Sequence, residues 1–464
     1  MNRRGAVAAA SFCVATLVVA YAWSSRPARA AFTPDPYQVT QVVDTDPSPD
    51  VVETTITARP VAVDIGGGKL ASVLTYNGTL PGPEFRLKVG DTVIVHFVNN
   101  IANVTGIHWH GIELANASDG TPLTQNQVEP GGTFLYKFKV IRPGIYWYHP
   151  HHHSSTNQVF KGLVGSIIVT DPNEASLITA GVLPPASQTR TLVLSDVTVC
   201  KAVGSNDTAT YAPSLPFVGG GLLPAQPSPT PKDLCETTPI NENGAARAAF
   251  ASGDVPNIQK PGTSGRVNEG QTVLTNGVNV GSRAGSPASP GALDSGASQL
   301  AVQAGQGLRL QLINVAAVRF FRLRLTTSTG VLVPLVRIGG QGGLLDKAVI
   351  EGGTIGGFDF KYDTGEILLD PGAREDVVAA IPSSATGVLT LWTEDLSRTG
   401  LGFSNIPTVP VAHFTVSGSV PAYAIAAGTL LRQATGNLVE ALGPATATLL
   451  NPSTFPVAKP GVVS

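Results

Sequence analysis

The sequence predicts an all-β protein built from two β-sandwiches in tandem. Three observations lead there. Val, Thr, Ile and Leu alternate with Gly, Pro, Asn and Asp at short intervals over most of 464 residues, which include 51 Gly and 36 Pro. That is the pattern of many short strands joined by turns rather than of long helices. One strand unit then occurs twice: Leu87–Asn99 (LKVGDTVIVHFVN) and Val302–Asn314 (VQAGQGLRLQLIN) each set a turn glycine ahead of an alternating strand that ends on Asn. A second pair follows in the same order, Val128–Tyr136 (VEPGGTFLY) and Leu369–Val377 (LDPGAREDV), before aromatic-rich strands that start at Gly144 and Gly387. Repetition at this spacing means duplicated supersecondary units.

From the start of the chain, residues 1–30 read as a signal peptide. Arg3 and Arg4 precede an apolar run, Ala6–Ala22, and Ala28-Arg29-Ala30 has the form of a cleavage site. The Arg pair leaves both general and twin-arginine export open. No later segment is apolar enough to span a membrane, so the mature protein is expected to be secreted or periplasmic, with no membrane association after cleavage. The first sandwich is expected over 31–172 and the second over 188–420. The second carries an insertion at 201–270 that includes PAQPSPTP from Pro224, an extended surface segment by composition. Residues 421–464 read as a tail or linker. Cys200 and Cys235 flank part of the insertion. In an oxidising compartment they would form a disulfide worth about 3–4 kcal/mol in the chain-entropy model, the alternative being two separate buried thiols. A net charge of −2 with no basic concentration excludes a nucleic-acid-binding role.

The chemistry is concentrated in histidine. Four of the eight histidines fall within YWYHPHHH, Tyr146–His153. Chance gives about 0.14 H-x-H pairs for this composition, whereas the chain has His108/His110, His149/His151 and His151/His153. On a strand, residues i and i+2 share a face at roughly 6.6–6.8 Å, so two such pairs on neighbouring strands would bring four imidazoles into one small volume. That suits a cluster of metal ions. Neutral imidazole suits copper, zinc, iron and nickel. A zinc hydrolase would add a carboxylate or a helical H-E-x-x-H, and neither is present. Copper fits best. The competing reading is a set of polar strand-end residues or a pH-sensing cluster. His152 points to the opposite strand face and His153 is a neighbour of the ligands, while His96 and His413 read as structural. The second repeat has Trp392-Thr393-Glu394 where the first has His149-Pro150-His151, and Phe321–Leu323 where the first has His108–His110. One copy is loaded with ligands and its sister is not.

Four stretches together resemble the first domain of multicopper oxidases of the laccase, copper-resistance and bilirubin-oxidase type. They are Gly106-Ile-His108-Trp-His110-Gly111, Asp119-Gly-Thr-Pro-Leu-Thr-Gln125, Pro130-Gly-Gly-Thr-Phe-Leu-Tyr136, and Tyr146–His151 followed by Gly162-Leu-Val-Gly165. Leu312-Ile-Asn314 and Leu369–Val377 are similar to the middle domain, which binds no metal. The resemblance implies two cupredoxin-like Greek-key sandwiches, with the family's third domain absent from this chain. It implies that His108 binds the type 2 copper and that His110, His149 and His151 bind the coupled type 3 pair. Asp119 would be catalytic, supplying protons during O2 reduction; otherwise it is the turn aspartate of Asp-Gly.

In the family a type 1 copper, held by a Cys and two His and often an axial Met, takes electrons from substrate. An H-C-H strand passes them to the cluster, and four more histidines complete it. This sequence has Met only at position 1, no histidine beside Cys200 or Cys235, and only His413 after His153. The chain alone is therefore expected to lack a type 1 site and to be inactive by itself. Three readings follow: a multicopper oxidase needing a third domain, or a second polypeptide carrying the H-C-H domain, to reduce O2 with a reducing substrate; an exported copper-binding or copper-tolerance protein without turnover; or a non-catalytic interaction module derived from the family. Phenols, bilirubin-like pigments and metal ions stay equally open as reductants.

Overall fold

The computed structural model describes residues 35–66, 70–152, 155–197, 232–233, 272–317, 319–354, 361–394 and 408–432. The leader (1–30), the Cys200–Cys235 pair, His153, all of the insertion except residues 232–233, and the tail beyond 432 lie outside the described residues.

The amino-terminal strands are β1 (Val51–Asp64), β2 (Leu70–Tyr76), β3 (Gly82–Lys88), β4 (Thr92–Asn99), β5 (His108–His110), β6 (Thr133–Lys139), β7 (Gly144–His149) and β8 (Gly165–Thr170). They form two sheets. One has the order β2-β1-β4-β6, extended at its edge by β10 (Lys232–Asp233), and the other has the order β3-β8-β7-β5. Alternation decides which side chains meet between them, because successive residues of a strand point to opposite faces. β4 buries Val93, Val95 and Phe97, which pack with Phe85, Trp109, Tyr136 and Tyr148 into one core.

A short helix α1 (Ser155–Phe160) joins β7 to β8, and α2 (Glu174–Thr179) follows β8. The second set of strands comprises β9 (Thr189–Val197), β11 (Thr272–Thr275), β12 (Arg283–Ser286), β13 (Ser289–Leu293), β14 (Leu300–Ala304), β15 (Gly307–Asn314), β16 (Phe321–Thr326), β17 (Leu335–Gly340) and β18 (Gly343–Ile350). It continues with β19 (Gly353–Thr354), β20 (Lys361–Tyr362), β21 (Ile367–Leu369), β22 (Arg374–Ala380), β23 (Val388–Glu394) and β24 (Val409–Ser419). Their two sheets have the orders β11-β9-β15-β22-β17-β18 and β14-β24-β23-β16-β21, with β12-β13 and β19-β20 as separate hairpins. Leu308, Leu310 and Leu312 of β15 face Phe321, Leu323 and Leu391 in a second core. The two-sandwich, all-β architecture expected from the repeats is present.

β15 is buried along its whole length, with no outward polar face. Its other face, Ile313 with Val193 and Val315, packs on Ile145, Trp147, Val164 and Ile168 of the first sandwich. β7 is equally buried on both faces: Tyr146 and Tyr148 point into the first core, whereas Ile145 and Trp147 point into this seam. Charge also crosses the seam. Arg309 on β15 bonds both carboxylate oxygens of Asp376 at 2.9 and 2.6 Å and meets Glu174 of α2 at 2.8 Å.

Three segments depart from the simple tandem division. Tyr37, expected within the first sandwich, is buried in the second core, where its ring lies 6.1 Å from Phe414 and its hydroxyl receives the His413 N–H at 2.8 Å. Lys232 and Asp233, from the insertion, pair in parallel with Ala71 and Ser72 of the first sandwich. The segment expected to be a tail or linker packs back over its first residues. Leu431 is fully buried with Tyr423 and Ile425 against the outer face of β17 and β18, and Arg432 pairs with Asp171 at 3.1 Å. Among the described residues no helix is long and apolar enough to cross a membrane.

Candidate metal centre

β5 and β7 pair antiparallel with His108 opposite His149, Trp109 opposite Tyr148, and His110 opposite Trp147. Strand periodicity then sorts the side chains. Trp109 and Tyr148 go into the aromatic core, 5.7 Å apart and next to Phe85 and Phe138. His108, His110 and His149 go to the opposite face, the one that carries Trp147 and meets the second sandwich. Trp147 stacks on His149 with ring centroids 4.0 Å apart and lies 4.9 Å from His110.

The chain continues past β7 to bring His151 to the same place. Ring centroids are 5.0 Å for His108–His151, 5.4 Å for His108–His149 and 5.4 Å for His110–His149. Ligating nitrogens of His108, His110 and His149 all lie within 4.8 Å of one another. The tightest approach is His110 Nδ1 to His149 Nε2, 3.2 Å. Two imidazole nitrogens on one ion, each bonded at about 2.0–2.1 Å as in zinc sites, stand about 2.9–3.4 Å apart for angles near 90–110°, so this pair has the spacing of shared ligation.

Backbone carbonyls orient two of the rings. His108 Nδ1–H donates to the Asp119 carbonyl at 2.8 Å, and His149 Nδ1–H donates to the Pro150 carbonyl at 2.8 Å. A proton fixed on Nδ1 leaves Nε2 with its lone pair for a metal. Asp119 also places a carboxylate oxygen 3.5 Å from His108 Nδ1. The turn that does this requires Gly120, whose φ is +78° and whose added Cβ would lie 1.8 Å from the Ile107 carbonyl oxygen.

Burial favours the neutral form of three of these imidazoles. It lowers the pKa of His108, pushes His110 down to about 4 with help from the Arg374 guanidinium and the neighbouring rings, and holds His149 well below the usual histidine range. Neutral imidazoles are the form that binds metal. The cluster holds no thiolate, and this donor set suits copper, zinc, iron or nickel. Its mouth is a cavity of about 230 Å³ between His110, His149 and His151 on one side and Ala316, Pro371 and Gly372 of the second sandwich on the other.

The other described histidines are held by other partners. His152 is buried with its ring against Gly106. His96 bonds Glu53 at the surface. His413 is buried between Thr390 and the Gly281 carbonyl. Sequence reasoning missed the contribution of the second sandwich, above all Gly372 and Arg374. A signal was present: Arg374 stands in the second repeat where the first has Thr133, a charged group at a position otherwise filled by a small one.

Comparisons with known proteins agree with this geometry. The sequence pattern described as "Multicopper oxidase" matches residues 57–174. The chain is 42% identical over 123 residues to multicopper oxidase MmcO of Mycobacterium tuberculosis, covering 26% of this chain and 24% of that protein. It is 43% identical over 115 residues to copper resistance protein A of Escherichia coli, covering 25% and 18%. The matched region thus spans about a quarter or less of those relatives. In fold, the chain is similar to a multicopper oxidase from Campylobacter jejuni described as a metallo-oxidase, with a TM-score of 0.56, 18% identity, and 86% of this chain and 64% of that one covered. It is also similar to McoA multicopper oxidase from Aquifex aeolicus, with a TM-score of 0.56, 22% identity, and 87% and 70% covered. Residues 57–174 thus carry the sequence pattern of the multicopper oxidase family.

Proposed function

We propose that the first sandwich, residues 31–172, carries the amino-terminal half of a three-copper cluster that couples O2 reduction to oxidation of a reducing substrate. His108 is the type 2 ligand, and His110, His149 and His151 serve the type 3 pair. The observation that carries this reading is the convergence of three neutral imidazoles, with His110 Nδ1 and His149 Nε2 3.2 Å apart. When bound, the copper ions supply the redox chemistry that takes O2, four electrons and four protons to two waters. The chain's own residues hold lone pairs in place and keep protons off them.

Four imidazoles do not satisfy three ions, so the reading includes further histidines and a type 1 site on another domain or partner chain. The second sandwich, 188–420, binds no copper and forms one wall of the site. Asp119 is assigned the proton-supplying role, and its position beside His108 supports that. The protein acts outside the cytoplasm, as its leader-like start suggests.

A second reading has its own support. The three-imidazole cluster lies within one sandwich, and the same segment matches copper resistance protein A. An exported copper-binding protein without turnover would need nothing more. Copper titration of the full chain tests the shared core of both readings. Defined uptake is expected, and it should vanish when His108, His110, His149 and His151 are all replaced by Ala. Uptake unchanged in that variant would refute the site. Oxidase activity that arises only on adding a chain with an H-C-H domain separates the first reading from the second.

A further inference from the structure

We infer that Arg374, on the second sandwich, is a positioning residue for His110, holding its imidazole in the orientation that aims Nδ1 at His149. This rests on the copper reading above and extends it to a residue outside the histidine-bearing sandwich.

The geometry is a clamp between the two sandwiches. Arg374 opens β22, and its side chain crosses the seam. Nε donates to the Ile145 carbonyl of β7 at 3.1 Å, and one terminal nitrogen donates to the Gly372 carbonyl at 2.7 Å. The guanidinium lies 6.0 Å from the Tyr146 ring centre. Its other terminal nitrogen packs on Gly111, the residue after His110, where an added Cβ would come within 2.6 Å. Gly372 in turn sits at the edge of the imidazole: a Cβ there would lie 3.5 Å from His110 Cε1. One side chain therefore fixes the strand beside His110, the turn that follows it and the wall against its ring.

The chemistry of the residue argues for that role. Arg374 is 5% exposed, and among the described residues it has no ion pair. Burial outweighs the more distant Glu375 and Asp370 carboxylates, and a buried cation with no carboxylate in contact is costly, so a position that needed only bulk or hydrogen bonding would be filled more cheaply by a neutral side chain. The planar fork explains the choice, because one guanidinium can donate in two fixed directions while stacking on an aromatic ring. The first repeat, which has no seam to bridge at this position, uses Thr133. Residues that orient a metal's ligands typically change metal affinity 10–100-fold when removed.

The test uses the full chain, its Arg374→Met and Arg374→Lys variants, and Arg432→Met as a control that breaks a seam ion pair away from the histidines. Each is loaded with one equivalent of Cu(II). Affinity is read by competition with a chelator, ligand geometry by the copper hyperfine splitting in electron paramagnetic resonance, and stability by thermal melting. Arg374→Met is expected to weaken copper binding about 10–100-fold and to alter the hyperfine splitting. Arg374→Lys should recover only part of both, and Arg432→Met should lower Tm while leaving both copper readouts unchanged. An unaltered spectrum and affinity in Arg374→Met would overturn the inference. So would equal weakening by Arg432→Met, which would reduce Arg374 to general seam stability. If Arg374→Met does not fold, the lysine variant decides in the same way: a spectrum and affinity like those of the unaltered chain overturn the inference. A chain that takes up no more copper than its four-alanine variant overturns the copper reading itself, an outcome distinct from a loss confined to Arg374.

Discussion

Arg322 and Glu394 face each other across the β16–β23 ladder, as His108 and His149 do across the β5–β7 ladder. The pair in the second sandwich is charged. Glu366, fully buried, accepts from Arg322 at 2.7 Å and Arg324 at 3.2 Å, and Glu394 lies 3.7 Å from Arg324. Burial and the neighbouring Glu366 raise the pKa of Glu394. Glu394→Gln should therefore change stability by less than about 1 kcal/mol, whereas Glu366→Gln, which weakens two charge-assisted bonds, should cost about 2–3 kcal/mol by urea unfolding.

His149 and His152 separate the proposed metal site from its surroundings. His149→Ala should abolish high-affinity copper uptake with little loss of fold. His152→Ala should leave uptake within about twofold and lower stability by about 1–3 kcal/mol, because it empties a buried site. Copper analysis of the purified variants, together with thermal melts, checks both.

Stability should fall with acidity in a defined window. His110 and His413 both have folded pKa values of about 4, against an unfolded value of 6.5. Between those limits the unfolded chain binds protons that the native chain does not, so stability rises with pH there. Acidification from pH 7 should begin to lower Tm near pH 6.5, and the contribution of these two histidines should level off below about pH 4. The His110→Ala variant should show a shallower slope, with the His413 part retained. Protons should also displace copper over the same window.

Gly120 and Gly90 make a matched pair. Both have positive φ, but a Cβ on Gly120 would strike the Ile107 carbonyl, whereas one on Gly90 meets nothing within 4 Å. Gly90→Ala should cost about 1–2 kcal/mol from backbone conformation alone. Gly120→Ala should cost more and weaken copper binding as well, since the turn that holds the Asp119 carbonyl on His108 must move. Chelator competition on the two variants reads the difference.

Arg319 and Asp196 form an ion pair in which both side chains are 1% exposed. Arg319→Met removes the cation 3.0 Å from the buried Asp196 carboxylate and should destabilise the protein by about 3–5 kcal/mol.

The strands and the histidine cluster were legible because both are local in sequence. Alternation in TVIVHFVN is a two-residue signal, and H-W-H with H-P-H needs only the knowledge that adjacent strands bring their faces together. What surrounds the cluster was not legible. The seam depends on which face of β7 turns toward β15, and a strand buried on both faces, such as GIYWYH or GLRLQLIN, carries no alternation to reveal it. Packing of Leu431 and Arg432 was invisible for a different reason: a short strap with two anchoring side chains has no period.

The burial of Tyr37 has a practical consequence. Its side chain belongs to the second core although the first sandwich follows it in sequence, so the chain cannot be cut cleanly between the two sandwiches. A fragment beginning at residue 188 would fold around a hole the size of a tyrosine, a loss of about 3–5 kcal/mol by analogy with large-to-small aromatic replacements. A fragment ending at 172 would leave that ring without a socket and the histidine face bare of its neighbour. Dissection would thus damage both halves, and adding a peptide that contains Tyr37 should restore stability to the carboxy-terminal piece.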